Sequence, residues 1–249
     1  QKAKTTWDHF NCQNHGEFID LYLQSDVLLL ADLFEKFREV NMKHFEIDPC
    51  HCYSAPGLTW QAGLKYTNIN LELLTDIDNL LSFEKAIRGG ISGIMGTRYV
   101  KADDNYKLLY VDANNLYGWA MMQFQPYGGF QIFEDEFTKE DILKIPEDSP
   151  IGYYFEVDLE YPESIKVLSK NFPYCPESMF VKDEELSPYQ IKLLGEENRP
   201  KVEKLVLTQY DKYNYIVHYR LLQFYLKQGM ILKKVHNVIS FKQSRWLEP

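Results

Sequence analysis

The stretch that decides the fold runs from Tyr106 to Met121 and reads YKLLYVDANNLYGWAM. It begins with a nearly continuous apolar run that includes aromatic and β-branched residues, and this pattern predicts a buried strand. Asp112 ends the run, so its carboxylate is expected at the exposed end of a rigid strand, within reach of solvent or a metal ion. A strand that ends in an ordinary turn aspartate explains the same pattern.

The residues after Asp112 predict a helix or turn that starts within Ala113 to Met122. Asn114 or Asn115 can cap this start, and the backbone N–H groups there favour phosphate oxygens. Tyr117 follows Asp112 by five residues, so its ring can lie beside a bound ligand. Tyr117 can equally be a core residue.

The composition describes a folded chain. Its 249 residues suffice for one large domain or two ordinary ones, and 45% hydrophobic with 15% aromatic residues predict a substantial core. The sequence contains no run of about 18 apolar residues, so no membrane span is expected. No apolar signal segment follows the N-terminus. The missing initial methionine and the abrupt end at Pro249 indicate a fragment of a longer protein.

The cysteines indicate a reducing, intracellular setting, because they are too few and too scattered for a disulfide framework. They are Cys12, Cys50, Cys52 and Cys175. Cys12 with His15, and Cys50-His51-Cys52, invite a zinc interpretation, but their spacing does not fit a structural zinc site. No zinc is expected. The compartment stays open, with the nucleus as one option.

The charge is unevenly distributed. The net charge is −9, yet Lys212 to Leu247 contains no Asp or Glu and seven basic residues. A basic tail on an acidic chain predicts a localised contact with a polyanion, for which Lys227, Lys233 and Lys234 are candidates. The alternative is a solvated amphipathic helix followed by an edge strand whose lysines prevent further pairing.

A long helix is predicted from Glu17 to Val40, where apolar residues recur near the helical period. Within it Tyr22 and Asp26 are four residues apart and share one face. An ionised aspartate on an apolar face is costly unless it is paired or ligates a metal. Alternatively, the helix restarts at Ser25 and Asp26 lies in its first, partly solvated turn.

The remaining elements predict an α+β chain that is helical at the front and sheet-rich behind. Short helices are predicted at 58–65, 76–88 and 216–228, strands at 91–100, 130–133, 153–159, 204–207 and 231–241, a loop at 46–57, a helix break at 125–129, a turn at 102–105, and an acidic solvated face at 134–148. Arg88-Gly89-Gly90 gives open backbone that a ligand or strand can approach, or it simply ends a helix.

The segment Asp112-Ala113-Asn114-Asn115-Leu116-Tyr117-Gly118 resembles motif A of family B DNA polymerases, usually written D-x-x-S-L-Y-P. With Trp119-Ala120-Met121 it is similar to the protein-primed branch found in viruses, linear plasmids and virus-like transposons of the Maverick/Polinton type. Tyr22 to Asp26 resembles the third exonuclease motif, Y-x-x-x-D. Arg88-Gly89-Gly90 falls where that branch carries Y-x-G-G, and residues 153–241 resemble the insertion called terminal protein region 1.

The resemblance implies an organisation and a chemistry. Residues 1–68 correspond to the C-terminal helices of a 3′–5′ exonuclease domain, 69–124 to the start of the antiparallel palm sheet, and 125–249 to the insertion and the return toward the palm. The expected substrates are a DNA primer-template and deoxynucleoside triphosphates, and the expected partner is a priming terminal protein. Two Mg²⁺ ions are the expected cofactors.

The resemblance also assigns residues. Asp112 and the Ala113 carbonyl would ligate the polymerase ions, and Asn114, Asn115, Leu116 and Tyr117 would bind the nucleotide. Tyr22 and Asp26 would belong to the exonuclease site, with Asp26 as a metal ligand. Arg88, Gly89, Gly90, Lys227, Lys233 and Lys234 would contact DNA.

The sequence departs from the family pattern at three positions. Asn115 replaces the usual serine, Gly118 the proline, and Ile87 the tyrosine before the glycine pair. The K-x-x-x-N-S-x-Y-G and Y-x-D-T-D motifs are absent, as are the first two exonuclease motifs, so this chain alone is expected to be inactive. Two alternatives stay open: a non-enzymatic remnant of a mobile element that binds DNA or a priming protein, and an unrelated α+β binding module.

Overall fold

The computed structural model describes residues 2–93, 99–133, 136–195 and 202–248. The chain forms two compact units, of which the first ends at Asn70 and the second runs Leu71–Glu248. In the described residues the first unit contains helices and no strand, whereas the second contains both sheets. This confirms the α+β class. The assignment of the units to exonuclease and palm stays a prediction.

Three helices make up the first unit: α1 (Lys2–His9), α2 (His15–Phe45) and α3 (Ala55–Thr67). The Asn14 side chain caps α2 by accepting the N–H of Glu17 at 3.0 Å. The predicted long helix is therefore confirmed and extends further at both ends. It does not restart at Ser25, because Ser25 Oγ donates to the Leu21 carbonyl at 2.9 Å inside a continuous helix.

A short 3-10 turn, Pro49–His51, is tied to α2 by a bidentate ion pair within the predicted loop. Arg38 donates to the Asp48 carboxylate at 3.0 and 2.7 Å. These hydrogen bonds hold the pKa of Asp48 well below its usual range, assisted by the N–H of Cys50. Most of the apolar residues of α2 nevertheless remain exposed, for example Leu30 at 68% and Leu33 at 70%.

The second unit contains the remaining elements. They are α4 (Ile77–Ala86), α5 (Leu116–Met121), β1 (Gln125–Ile132), α6 (Lys139–Lys144), β2 (Ile151–Glu160), α7 (Glu163–Lys166), β3 (Glu177–Met179), α8 (Pro188–Leu194), β4 (Lys204–Val206), β5 (Lys212–His218), α9 (Tyr219–Lys227) and β6 (Ile231–Ser244). The main sheet is antiparallel with strand order β1-β6-β2-β5, and β3 pairs with β4 in a separate two-stranded sheet.

The core of the second unit lies where α9 packs against the main sheet. Phe155, Val157 and Leu159 alternate along β2 and are at most 1% exposed, as their spacing predicts. From α9, Tyr219 and Leu222 are fully buried in the same cluster. Because Phe155 lies opposite both Val217 of β5 and Val238 of β6, the strands β6, β2 and β5 are held in a register that buries one face.

Strand β1 covers the predicted helix break, since it begins at Gln125 and includes both glycines. Glu72 lies along its outer edge: its N–H donates to the Tyr127 carbonyl at 2.9 Å, and its carboxylate accepts the N–H of Gly129. A Cβ at Gly128 would lie 3.0 Å from Glu72, and Gly129 has a φ of +68°. Glycine therefore permits this close approach and the irregular register of β1.

Four element predictions are wrong, wholly or in part. Tyr106 to Val111 is not a buried strand: it forms no strand pairing in the described residues, and its apolar side chains are exposed, Leu109 at 86% and Tyr110 at 95%. The backbone N–H and C=O groups of a strand need hydrogen-bond partners on a neighbouring strand. In the described residues no strand of the main sheet pairs with Tyr106 to Val111.

The other three errors are smaller. Of the strand predicted at 91–100, residues 94–98 lie outside the described residues and the others are not strand. Ile216 to His218 belongs to β5 rather than to the following helix, because these residues pair with β2. The acidic stretch 134–148 contains α6, whose Ile142 is fully buried, so this face is not wholly solvated.

Candidate functional site: the Asp112–Tyr117 segment

Asp112 lies in an exposed, irregular segment between a tight turn and α5. The turn is the one predicted: the Asp103 carboxylate accepts the N–H groups of Asn105 and Tyr106, and Asp103 N–H donates to the Tyr106 carbonyl at 3.0 Å. Asp112 is exposed, and its carboxylate forms no ion pair with a described residue. It is therefore accessible to a ligand from solvent, although it does not stand at the end of a strand.

Of the two asparagines predicted to cap this helix, Asn115 is the one that caps α5. Its backbone is left-handed (φ 48°, ψ 48°), a conformation that asparagine tolerates well. Its Oδ1 accepts the N–H of Gly118 at 3.2 Å. A Cβ at Gly118 would lie 2.3 Å from Asn115 Nδ2. The two departures from the D-x-x-S-L-Y-P pattern are thus one coupled change, because a proline at 118 would have neither the N–H nor the space.

Introducing the family's proline at position 118 without the serine at position 115 should destabilise α5. The Trp119 N–H donates to the Asn115 carbonyl at 3.0 Å. In Gly118→Pro we expect this N–H to exchange with solvent about 5–30-fold faster than in the wild type, the effect of losing a helix cap. In the double variant Asn115→Ser/Gly118→Pro the shorter side chain removes the clash, and exchange should return to within about twofold of the wild type. Amide hydrogen exchange measures both. Equal exchange in the single and double variants would contradict the coupling.

Tyr117 is not a core residue: its side chain is 88% exposed in the first turn of α5. Leu116 is 58% exposed, and Asn114 is exposed beside it. The segment therefore presents one carboxylate, a run of backbone amides and a phenol ring to solvent.

The donor chemistry of this segment suits a hard cation, but the donor set is partial. A carboxylate and a backbone carbonyl, from Asp112 and Ala113, are the oxygen ligands that Mg²⁺ prefers, with water and substrate phosphates filling the other positions. Within the described residues no three His, Cys, Asp or Glu side chains gather as a metal-binding group. Asp112 therefore fits as one protein ligand of a shared site rather than as a complete site.

Tyr22 and Asp26 lie on one face of α2, in the first unit. Tyr22 is 61% exposed, and Asp26 is exposed as well. The cost of an ionised aspartate on a buried apolar face therefore does not arise, since that face is open in the described structure. Their exonuclease role stays a prediction.

Arg88 is engaged within the protein. Its guanidinium lies 4.0 Å from the centroid of the Tyr215 ring and donates to the Ile216 carbonyl at 2.8 Å and to the Ala86 carbonyl at 3.2 Å. It thereby ties the end of α4 to β5. Gly89 and Gly90 follow as exposed backbone, with open space around each Cα, so a ligand could approach them there.

Loss of these contacts should destabilise the second unit. Arg88→Ala removes a cation–π contact and a partly buried hydrogen bond, so we expect the free energy of unfolding to fall by about 1–3 kcal/mol. Arg88→Lys should recover little of it, because lysine lacks the planar fork. Urea denaturation measures the loss, with the exposed Lys85→Ala as the control. Unchanged stability of Arg88→Ala, with weaker DNA binding, would assign Arg88 to phosphate instead.

The basic tail is less positive than its sequence indicates. Four of its seven cations form ion pairs with glutamates: Lys212 with Glu177, Arg220 with Glu147, Lys233 with Glu160 and Arg245 with Glu248. Lys212 is fully buried and its ammonium also donates to Thr208 Oγ1 at 2.8 Å. Lys227 is exposed without an acidic partner among the described residues, and Lys234 is exposed near Asp158. Fewer cations than the sequence indicates are therefore uncompensated, and the polyanion contact stays a prediction.

The family is shown by sequence comparison. A family model described as DNA polymerase type B, organellar and viral, matches residues 3–242, which is nearly the whole chain. The chain belongs to this family, and the match confirms the family B resemblance carried by the residues around Asp112. No curated protein and no solved structure matches it. Among the helices of the described residues, none has the length and apolar character to cross a membrane.

Proposed function

We propose that this chain carries a catalytic, metal-binding carboxylate of a DNA-directed DNA polymerase, Asp112, and that a longer protein containing it performs nucleotidyl transfer. The observation that supports this most is the family match over residues 3–242 together with an exposed Asp112 at the family's motif A position. The substrates are a DNA primer-template and deoxynucleoside triphosphates. The 249 residues alone are inactive on this proposal, because the sequence lacks the lysine motif and the second carboxylate motif.

Each residue of the segment has one task in this proposal. Asp112 and the Ala113 carbonyl supply hard oxygen ligands, and a second carboxylate comes from another part of the enzyme. Two Mg²⁺ ions, when bound, would activate the primer hydroxyl and hold the triphosphate and its leaving group. The backbone amides of Asn114, Asn115, Leu116 and Tyr117 steady the phosphates. Tyr117 packs under the incoming sugar, where a 2′-hydroxyl would clash.

The first unit belongs to the exonuclease part of the same proposal. Asp26 serves as a metal ligand, and Tyr22 on the same helical face orients the attacking water. Because the partner carboxylates of the first two exonuclease motifs are absent from the sequence, this chain alone shortens no DNA. Incubation with labelled single-stranded DNA and Mg²⁺ tests the point, and clear shortening from the 3′ end would show that the motif is misplaced.

The proposal also includes the priming of DNA synthesis by a protein. Within residues 153–241, which resemble terminal protein region 1, the β3–β4 sheet and α8 are inserted between β2 and β5 of the main sheet. A terminal protein would supply the hydroxyl that accepts the first nucleotide. The experiment is transfer of radiolabelled dAMP from dATP in the presence of Mg²⁺, carried out with a polymerase chain that includes the later motifs. Label on a protein supports priming by protein, whereas label that appears only on an oligonucleotide primer contradicts it.

A further inference from the structure

A cleft of about 560 Å³ lies within the second unit, between the helix that follows the Asp112 segment and α9. Trp119 of α5 and the next residues, Gln123 to Pro126, line one part of it. Arg220, Phe224 and Lys227 of α9 line another part, with Tyr154 and His218 from the sheet. Its volume lies within the range of roughly 300–1,000 Å³ that is typical of ligand sites.

The charge of this cleft is positive in a chain that is acidic as a whole. Glu147 is its acidic lining residue, and Arg220 neutralises it through an ion pair at 3.0 Å. Lys227 therefore remains as an uncompensated cation. His218 is neutral at physiological pH, because burial and the nearby Arg220 charge lower the pKa of its imidazole to about 4. Three other clefts of the second unit carry at least as many acidic as basic lining residues among Asp, Glu, Lys and Arg.

Exposed aromatic rings accompany the cation. Trp119 is 61% exposed and Phe224 is 45% exposed. Phe224 is held in place by an edge-on contact with Tyr174, with the ring centroids 5.9 Å apart. Large exposed rings beside a free lysine are the combination that single-stranded nucleic acids use, because each base has a π-face that stacks and each phosphate has a charge to neutralise.

We infer that this cleft binds single-stranded DNA, with bases stacked on Trp119 and Phe224 and the backbone phosphates beside Lys227. The inference rests on the proposed function, in which the longer protein acts on DNA. The Asp112 segment provides no binding site for a single strand, and the cleft would provide one. Trp119 lies two residues after Tyr117 on the same short helix, so a strand in the cleft contacts the element that carries the sugar-facing ring. An apolar protein segment is the less suited occupant, because it would leave Lys227 without a counter-charge.

Photo-crosslinking of the whole chain to a dT oligonucleotide that carries 5-iodouracil tests this placement. We expect crosslinked peptides that contain Trp119 or Phe224. In fluorescence anisotropy, Trp119→Ala and Phe224→Ala should each weaken binding about 5–150-fold, the effect of losing one stacked base. Lys227→Gln should reduce the slope of log affinity against log salt by about 0.7, as for one phosphate contact on a single strand.

Two exposed residues outside the cleft provide matched controls, Tyr189→Ala on α8 and Lys170→Gln. They should change neither the affinity nor the salt slope. Crosslinks outside the cleft, or equal effects of cleft and control variants, overturn the inference, as does capture of an apolar peptide with no binding of DNA. All replaced side chains are exposed, and circular dichroism of each variant verifies that it is folded.

One further variant separates the failure of this inference from the failure of the proposed function. Asp112→Asn should bind the oligonucleotide as tightly as the wild type, because the carboxylate does not line the cleft. Cleft crosslinks without any Asp112-dependent nucleotidyl transfer in the longer polymerase would overturn the proposed function alone. Transfer that depends on Asp112, with no crosslink in the cleft, would overturn the cleft alone.

Discussion

Asp112→Asn should reduce the rate of nucleotide incorporation by at least about 1,000-fold in a polymerase chain that also carries the later motifs. The replaced carboxylate is isosteric with the amide but loses the charge that holds a divalent cation. Such metal contacts stabilise transition-state charge by several kcal/mol, and each 1.36 kcal/mol changes the rate about tenfold. Single-turnover primer extension at saturating dNTP and Mg²⁺ measures the loss.

A nearby aspartate supplies the control for this variant. Asp104 is exposed in the turn that precedes the segment and lies outside the motif, so Asp104→Asn should incorporate nucleotides at the wild-type rate. Unfolding should be unaffected in both variants, because neither carboxylate is buried. Equal rates for Asp112→Asn and the wild type would show that Asp112 has no catalytic role and would favour the non-enzymatic alternative.

Tyr117→Val should relax discrimination against ribonucleotides. In the proposed complex the phenol ring occupies the space that a 2′-hydroxyl would need, and forcing an extra group into a packed site costs roughly 1–3 kcal/mol. The ratio of kcat/KM for dNTP over rNTP should therefore fall by about 5–150-fold, with the change mostly in the rNTP value. Steady-state incorporation with matched dATP and ATP measures it.

The matched control is another solvent-exposed tyrosine of the same stretch. Tyr110 is 95% exposed and precedes Asp112, whereas Tyr117 is 88% exposed and follows it. Tyr110→Val should leave sugar discrimination unchanged. If Tyr117→Val also leaves it unchanged, the ring does not contact the sugar, and the role assigned to it is wrong.

Local features of the fold could be predicted because the responsible interactions lie close in sequence. The alternation of Phe155, Val157 and Leu159 identifies the buried face of β2, and the asparagine pair 114–115 predicts a cap that the structure assigns to Asn115. Glycine is also the residue type typical of a helix end, and Gly229, which follows α9, has a φ of +106° that few other residues tolerate. Each of these depends on a period or on a backbone conformation that the residue itself favours.

Features that depend on distant residues could not be predicted. The apolar run Tyr106 to Val111 has strand composition, but a strand also needs a pairing neighbour, and composition does not identify one. Ile216 and Val217 follow a helical pattern, yet pairing with β2 takes them into the sheet. Gln223 illustrates the same limit, because its side chain is buried to donate to the carbonyls of Ile142 and Ile145, about 80 residues away.

In the candidate site, too, local features could be predicted and features that depend on other residues could not. The motif around Asp112 predicts the candidate residues from their order alone, but it does not reveal that Asn115 and Gly118 depend on each other. Net charge counts indicate a basic tail, whereas the glutamates that neutralise four of its cations come from outside Lys212 to Leu247. The exposed Phe224 and Lys227 are three residues apart on α9, a spacing that places them on one side of the helix.

Metal binding at Asp112 is the most direct test of the account, measured in a polymerase chain that also carries the later motifs and with them the second carboxylate. In an NMR titration with Mn²⁺ and dATP, paramagnetic broadening should begin at the amides of Asp112 to Tyr117. It should disappear in Asp112→Asn and persist in Asp104→Asn. Broadening of the Asp112 to Tyr117 amides that survives the loss of the Asp112 carboxylate, or no broadening of these amides in the wild type, would contradict the claim that this residue holds the catalytic cation.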